Sequence, residues 1–486
     1  MSHANTLSAL RPSGPGLALV YVLAAALPLA LALTQRVAPA AMWEYAAAAM
    51  GMIALLGMAV QFVTSGRFEG VSGKLGIDKI MGFHKLAASW VALAVVLHPL
   101  AYIWPTWAQD PELGWLRLQF YLSDPAYLTG VVALGALVVL IASSILRDRL
   151  PWPYEAWRGV HVVLGLVAVF GGLHHAIAVG RFSAQGPVAV FWWALGAAVL
   201  AVMAILYGWR WARLHRQPWR LASVTRRADR MWELDIQPVG DTPALPYHAG
   251  QFVWMTEGTR RFPLFDHPFS IADSPARPGL SLLIKEAGDF TNQIGDLPEG
   301  ASIGIDGPYG EFSLHAHDPE SVLLIGGGVG IAPVLGILRD MVARGDTRPV
   351  RLAYAVGAAP NFACLEEIRA ATRTLDLRLW LTCEDGAEAP DIQAGRLTQD
   401  RLRDMLDGLD PARTKALICG PGPMVVAVSD ALLDLGLPMA NVIYERFDYA
   451  AGARSRQDRA RTRNILGIGG VIVALVAGFA ALAGVV

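Results

Sequence analysis

Apolar and polar positions divide the chain into two unlike halves. Six apolar runs follow one another at about 17–34, 43–63, 84–104, 125–146, 160–180 and 188–209, with few or no charges inside them. A helix crosses a hydrocarbon core about 30 Å thick with about 20 such residues, so the first half predicts a six-span α-helical membrane bundle. After residue 216 the period changes. Short runs at Trp219–Val224, Met231–Pro238, Gln251–Thr256, Leu280–Lys285 and Ser302–Asp306 alternate in strand fashion and are separated by turn residues, which predicts a small antiparallel β-barrel. From Ser321 the pattern becomes strand then helix. Strands are expected at Ser321–Ile325, Arg351–Val356, Leu377–Thr382, Lys415–Cys419 and Asn441–Tyr444, with the first helix ending near Ala343. That order predicts a parallel α/β sheet.

The apolar pattern then returns. Arg454, Arg456, Arg459, Arg461 and Arg463 form a basic run ahead of 22 uncharged residues, Ile465 to Val486, a helix of about 33 Å and long enough to cross. This seventh span reads as a tail anchor behind a basic stop. A packing helix is the alternative, because Ala474 with Gly478 and Ala480 with Gly484 give small-xxx-small faces. The expected organisation is therefore 1–216 as the membrane bundle, 217–316 as the barrel, 317–450 as the α/β domain, and 451–486 as basic linker and final span.

Charge sets the orientation. Arg67, Lys74 and Lys79 lie between spans two and three, Arg147, Arg149 and Arg158 between four and five, and Arg210, Arg213, Arg216 and Arg220 after span six. The opposite loops carry only Arg36, Arg117 and Arg181. The positive-inside rule then puts the N-terminus and the soluble half in the cytoplasm. Ala38-Pro39-Ala40 resembles a signal-peptide cleavage site, but the apolar core before it is long for that role. With 54% hydrophobic residues, a net charge of −1 and a mean hydropathy of +0.40, the chain suits a lipid bilayer, and no basic domain suggests a nucleic-acid partner. The three cysteines, Cys364, Cys383 and Cys419, lack metal-ligand spacing and read as reduced thiols.

Histidines supply the candidate chemistry. His84 and His98 lie 14 apart in span three; His161 lies 13 before His174 and 14 before His175 in span five. A lone histidine in an apolar helix is usually satisfied by a backbone carbonyl. Four at matched spacing in two helices call for another account, since ionisable groups at membrane depth are costly and functional by default. Fourteen residues return to within ~40° of the same helix face and span roughly 20 Å. Two haems stacked across the membrane, each taking one imidazole from each helix, fit this spacing. No CxxCH occurs, so they are expected to be of the b type. On an ideal helix His161 pairs better with His175, whereas a bulge at Gly171-Gly172 would admit His174; both remain candidates. His215, His248, His315 and His317, in the polar half, have no matched partners and read as surface or loop residues.

The soluble motifs carry a resemblance. His267-Pro268-Phe269-Ser270, Gly288-Asp289-Phe290-Thr291 and Gly307-Pro308-Tyr309-Gly310 resemble the flavin-binding signatures of the ferredoxin–NADP reductase superfamily. Gly326-Gly327-Gly328-Val329-Gly330-Ile331-Ala332-Pro333, Cys419-Gly420-Pro421-Gly422-Pro423-Met424 and Glu445-Arg446-Phe447 resemble its nicotinamide half. The glycine-rich turn departs from the dinucleotide fingerprint in ending on Pro333. Joined to the histidine-bearing spans, the set resembles the ferric reductase and NADPH oxidase family.

That resemblance implies FAD, two b-type haems and NADPH or NADH as cofactors. It implies that Phe269 supports the flavin ring, Ser270 hydrogen-bonds near its reactive nitrogen, His267 faces the pyrophosphate and Thr291 holds phosphate oxygens. Lys285 joins the cofactor-binding set. Cys419 and Gly420 are implied to line the nicotinamide pocket and Phe447 to cover the flavin. Family members that prefer NADPH often carry a basic residue after the second nucleotide-domain strand; here Tyr354-Ala355-Val356-Gly357-Ala358-Ala359-Pro360 is uncharged, which leaves NADH open. The acceptor on the far side is expected to be a ferric chelate or O2, with a periplasmic acceptor protein, or a homo-oligomer through the seventh span, as further partners. Where oxidase members place a second outer histidine, this chain has Tyr102.

Overall fold

The computed structural model describes residues 14–64, 77–258, 262–315, 317–386, 389–447 and 454–485. They fall into two compact units, which divide between Gly208 and Trp209 and again between Arg461 and Thr462.

The first unit is helical: α1 (Gly14–Leu33), α2 (Met42–Val60), α3 (Ile77–Gln109), α4 (Pro111–Ser123), α5 (Leu128–Ile145), α6 (Tyr154–Val179) and α7 (Gly186–Met203). A π-helical stretch, Ala204–Trp209, carries α7 on into α8 (Arg210–Arg216). Among the described residues seven helices are long and apolar enough to cross a membrane, the last at Arg456–Ala483. Six match the expected runs, but the third and sixth extend further, to 79–109 and 186–216. Pro99 and Pro105 lie inside α3, a position that membrane helices tolerate. The loops carrying Arg67 and Lys74 lie outside the described residues.

Hydropathy misses α4. Asp110 caps it, its Oδ1 accepting from Glu112 N at 3.0 Å and Leu113 N at 3.1 Å, and Pro111 opens it. Leu113, Trp115, Leu116 and Phe120 on α4 are exposed. The Asp-Pro pair is a helix-start signal, but 13 residues are too few to register as a span.

The second unit holds two sheets. The first, all antiparallel, consists of β1 (Trp219–Ala228), β2 (Met231–Pro238), β3 (Phe252–Glu257), β4 (His267–Ser270), β5 (Leu280–Lys285) and β6 (Ser302–Tyr309), in the order β4-β3-β6-β1-β2-β5. A bridge between Ile271 and Leu282 ties the chain just beyond edge strand β4 to edge strand β5. Alternation along the strands turns Leu221, Leu234, Ile236, Val253, Leu282 and Ile303 into one core.

The second sheet is parallel, built from β7 (Ser321–Gly327), α9 (Ile331–Arg344), β8 (Val350–Val356), α10 (Leu365–Ala371), β9 (Leu377–Cys383), β10 (Ile392–Ala394), α11 (Gln399–Leu406), β11 (Thr414–Gly420), α12 (Gly422–Asp434) and β12 (Val442–Arg446). Its order is β10-β9-β8-β7-β11-β12. All of β7 and β11 is buried, as expected where helices cover both faces. The order reverses between β7 and β11, and open α/β sheets bind ligands at such a switch point, outside the carboxyl ends of the strands. The two sheets are joined by a buried ionic network. Arg339 on α9 donates to Glu233 Oε1 on β2 at 2.6 Å and to Ala272 O, and pairs with Glu367 on α10.

The final helix, α13 (Arg456–Ala483), begins in the second unit and ends in the first. In the first unit Phe479 and Ala480 are buried, Phe479 against Phe182 with ring centroids 5.4 Å apart. Gly469 lies against Trp90, so that aromatic packs on the last helix. Of the small-xxx-small faces, Ala480 is buried whereas Ala474 and Gly478 are exposed. The helix packs within the bundle rather than serving only as an anchor.

Candidate functional site

The four spaced histidines meet in two pairs. The rings of His84 (α3) and His161 (α6) have centroids 6.4 Å apart; those of His98 (α3) and His175 (α6) are 6.5 Å apart. Two imidazole nitrogens on opposite sides of one metal ion, each about 2 Å from it, leave the ring centroids about 6 Å apart. Both pairs have that separation. In span five it is His175 whose ring faces His98. His174 is exposed, and its Nδ1 lies 3.1 Å from the Thr129 hydroxyl.

Neighbouring helices hold the rings. His98 Nδ1 donates to the carbonyl of Ala47 on α2 at 2.7 Å, and His161 Nδ1 lies 3.2 Å from the Ser144 hydroxyl on α5. Such contacts fix which nitrogen remains free as a donor atom. Two glycines make room for the second pair. A Cβ on Gly51 would lie 2.8 Å from the His98 ring, and one on Gly130 would lie 2.6 Å from His175 Nδ1. Tyr102 lies one turn beyond His98, with its ring edge-on at 5.5 Å.

In the antiparallel sheet, residues of separate motifs come together. His267 stacks on Phe290 with centroids 4.1 Å apart, and Phe269 lies 6.3 Å from the same ring. Ser270, at the end of β4 opposite Phe252, is buried. Lys285, Gly288 and Asp289 are exposed around the following turn. Thr291 opens a six-residue 3-10 helix rather than an α-helix; its hydroxyl accepts from the amides of Ala287 and Gly288 at 2.8 and 3.0 Å and so shapes that turn. Tyr309 is more deeply committed. Its hydroxyl donates to Asp306 Oδ2 and accepts from Arg210 Nη2, both at 2.9 Å, and burial, with Asp306 alongside, pushes its pKa upward. Arg213 also reaches Asp306 and donates to Gly307 O. Gly310 O accepts from Gln251.

At the switch point of the parallel sheet the two glycine-bearing turns touch. Cys419 on β11 is in register with Gly326 on β7. A Cβ on Gly330 would collide with the Cys419 carbonyl, and one on Gly327 would lie 2.6 Å from Met424 Sδ and 3.0 Å from Pro421. Gly328 is clear of neighbours and open to approach. Pro333 falls in the first turn of α9, where an amide would have no partner within the helix. This resolves the departure from the fingerprint. Cys419 is fully buried. Gly420 is in register with Arg446, so β12 delivers Phe447 next to this turn, 42% exposed.

Residues 50–172 match the ferric reductase-like transmembrane component, 228–313 an FAD-binding domain and 324–430 an oxidoreductase NAD-binding domain. The three matches, in this order along the chain, are those of the ferric reductase and NADPH oxidase-like family. The first match lies within the helical unit, the second on the antiparallel sheet and the third on the parallel sheet. The reductase component of propane 2-monooxygenase from Gordonia sp. (strain TY-5) is 33% identical, over 37% of this chain and 54% of that protein. The Bordetella pertussis flavohemoprotein is 28% identical over 47% and 60%. The chain spans about half the length of the first curated relatives it matches. The Amycolatopsis cytochrome P450 reductase GcoB is 24% identical, with a TM-score of 0.42, over 48% of this chain and 70% of that one.

Several contributors escape sequence reasoning. Gly51 and Gly130 look like ordinary small residues of membrane helices, and only the packed ring against each reveals its role. Arg210 and Arg213 read as topology signals, yet they hold Asp306. Where the sequence leaves His248 and His315 unpartnered, the structure stacks their rings 3.5 Å apart at the edge of a cavity that His317 also lines.

Proposed function

We propose that this chain is an NAD(P)H-dependent transmembrane oxidoreductase. It carries electrons from cytoplasmic NAD(P)H through FAD and two b-type haems to a ferric chelate or O2 on the opposite face of a bacterial inner membrane. The observation that carries the reading is the pair of imidazole couples on α3 and α6, whose rings are close enough for each couple to share one metal ion. The donor set fits haem: paired imidazoles in apolar helices, without a CxxCH attachment.

His84 and His161 hold the inner site, and His98 and His175 the outer one. The Ala47 carbonyl keeps the His98 ring, and the Ser144 hydroxyl the His161 ring, in the ligating tautomer. When bound, FAD would supply the exchange between two-electron and one-electron chemistry, and haem single-electron transfer. Ser270, Phe269 and His267 form the flavin cradle, with Lys285, Gly288, Asp289 and Phe290 at its rim and the Thr291 turn supporting it. Gly326–Gly330, Pro333 and the Cys419–Pro421 turn receive the dinucleotide, whose pyrophosphate faces the amides where α9 begins. Phe447 closes over the flavin until nicotinamide displaces it. The uncharged stretch 354–360 supports NADH as well as NADPH.

A second reading is an electron-delivery subunit that passes its electrons to a partner protein. The propane 2-monooxygenase relatives, named as reductase components, favour it. Anaerobic addition of NADH to the purified chain tests both. The expected result is a Soret band and a reduced α-band equivalent to two haems, followed by reduction of ferric citrate without any added protein. Protein from haem-replete cells that lacks a Soret band would overturn the main reading, and haem reduction that stalls until a partner is supplied would favour the second.

A further inference from the structure

The start of the last helix is attached to the strand that carries Phe447. Ser455 and Asp458 form a capping box: Ser455 N donates to Asp458 Oδ2 at 2.9 Å, and Asp458 N donates to Ser455 Oγ at 3.2 Å. In an ordinary capping box the acid serves only its own helix. Here Asp458 also accepts from Tyr444 OH at 2.6 Å and from Arg446, both on β12. Gln457 donates to the carbonyls of Met439 and Val442, where the same strand begins. Arg461 donates to Tyr444 OH at 3.0 Å, and Arg456 pairs with Asp434 on α12 at 2.6 Å. Ser455, Gln457 and Tyr444 are almost wholly buried. Burying so many polar groups is costly unless each finds a partner, and a basic stop lying in solvent has no need of such a network. Burial alone would raise the Asp458 carboxyl, but its donors outweigh that and keep it ionised.

The residue after Arg446 is Phe447. Nothing but the β12 backbone separates Asp458's anchor from the aromatic proposed above as the lid of the flavin. We propose that Asp458 is a positioning residue for nicotinamide entry: through Tyr444 and Arg446 it fixes the end of β12, parks Phe447 over the flavin, and so sets nucleotide affinity from the first turn of the last helix. The inference rests on the lid reading of Phe447 and adds the residue that tunes it.

The test uses the full-length, flavin- and haem-loaded protein in detergent. NAD⁺ is titrated against the flavin absorbance, and KM and kcat are measured with NADH. Asp458→Ala is expected to tighten NAD⁺ binding and lower KM by about threefold or more, with flavin and haem content unchanged; Asp458→Glu, which keeps the carboxylate, should restore the wild-type value. Tyr444→Phe, which removes one hydroxyl and keeps the ring, should move affinity the same way by less and stands in if Asp458→Ala fails to fold. Phe447→Ala alone should tighten NAD⁺ binding, and adding Asp458→Ala to it should change nothing further. Unchanged affinity in Asp458→Ala and Tyr444→Phe, alongside a tightened Phe447→Ala, overturns the positioning role and leaves the lid intact. No effect of Phe447→Ala overturns the lid and this inference with it. An equal effect of Asp458→Ala with and without Phe447 also overturns the inference, because the residue would then act on the nucleotide domain by another route.

Discussion

Gly130→Ala should cost the protein its outer haem. The added Cβ would lie 2.6 Å from His175 Nδ1, 2.8 Å from its Cγ and 2.9 Å from its Cε1. Carbon contacts settle at about 3.5–4.0 Å, so the ring must retreat by about 1 Å. A histidine–metal bond of about 2 Å cannot stretch that far. The ring must turn or the helices must part, and disturbing a ligand's support typically costs about 10–100-fold in metal affinity, or ~1.4 to ~2.8 kcal/mol. Alanine is the better helix former, so a loss cannot be blamed on α5 itself. Gly135→Ala on the same helix meets nothing within 4 Å and is the matched control. Haem is counted against flavin as the pyridine haemochrome after extended dialysis. The expectation is about one haem per flavin in Gly130→Ala and two in Gly135→Ala and wild type. Two firmly held haems with an unshifted spectrum in Gly130→Ala would refute the assignment of His175.

Other outcomes follow from the same geometry. His174→Ala should keep both haems and His175→Ala only one; the reverse, by the same count, would return the ligand to His174. Steady-state kinetics should find NADH within about tenfold of NADPH in kcat/KM, a gap of ~1.4 kcal/mol or less, and a hundredfold preference for NADPH would require a phosphate site elsewhere. Burial would raise the Glu233 carboxyl, but hydrogen bonds from Arg339 and Ser281 hold it below its ordinary range. Its contribution to stability is therefore complete above the unfolded value of about 4 and is lost as pH falls through the lower folded value; the melting deficit of Glu233→Gln should be full at pH 7 and shrink below about pH 4. Arg210→Lys keeps the positive charge that orients the span but loses the forked contact to Asp306 and Tyr309, so flavin release on heating should come several degrees earlier while haem content stays at two.

Strand and span positions were readable because one face or one whole segment is apolar, and that requirement leaves a period in the sequence. The six leading spans and most strands follow it, as do the boundaries of β7 and β11 to within two residues. What lacked a period was lost. β4 is four residues long with an exposed proline, and it surfaced only as a motif. Helix α4 buries little and announces itself only by its cap. The histidine spacing singled out the candidate ligands but left the one in span five open, because helix rotation, not spacing, separates His174 from His175. The packing that bears on it, Gly130 against His175 and Thr129 beside His174, lies on a different helix.

The arginines carry the deepest of these lessons. A cation after an apolar run reads as a topology signal, and nothing in its own neighbourhood says more. Arg210 is nevertheless only 5% exposed and lies against Asp306, and Arg213 shares that carboxylate. At the other end of the second unit Arg461 and Arg446 meet Asp458. One acid within the flavin sheet and one in the first turn of α13 each gather two arginines, in both cases where the chain enters or leaves a membrane-length helix. A solvated stop signal would tolerate any cation and any rotamer. Buried, shared carboxylates demand guanidinium geometry, because removing one partner leaves the other's charge uncompensated in a low dielectric. Arginines that read as topology signals in the sequence, Arg210, Arg213 and Arg461, therefore also hold carboxylates at the two ends of the second unit, a task in which lysine cannot replace them.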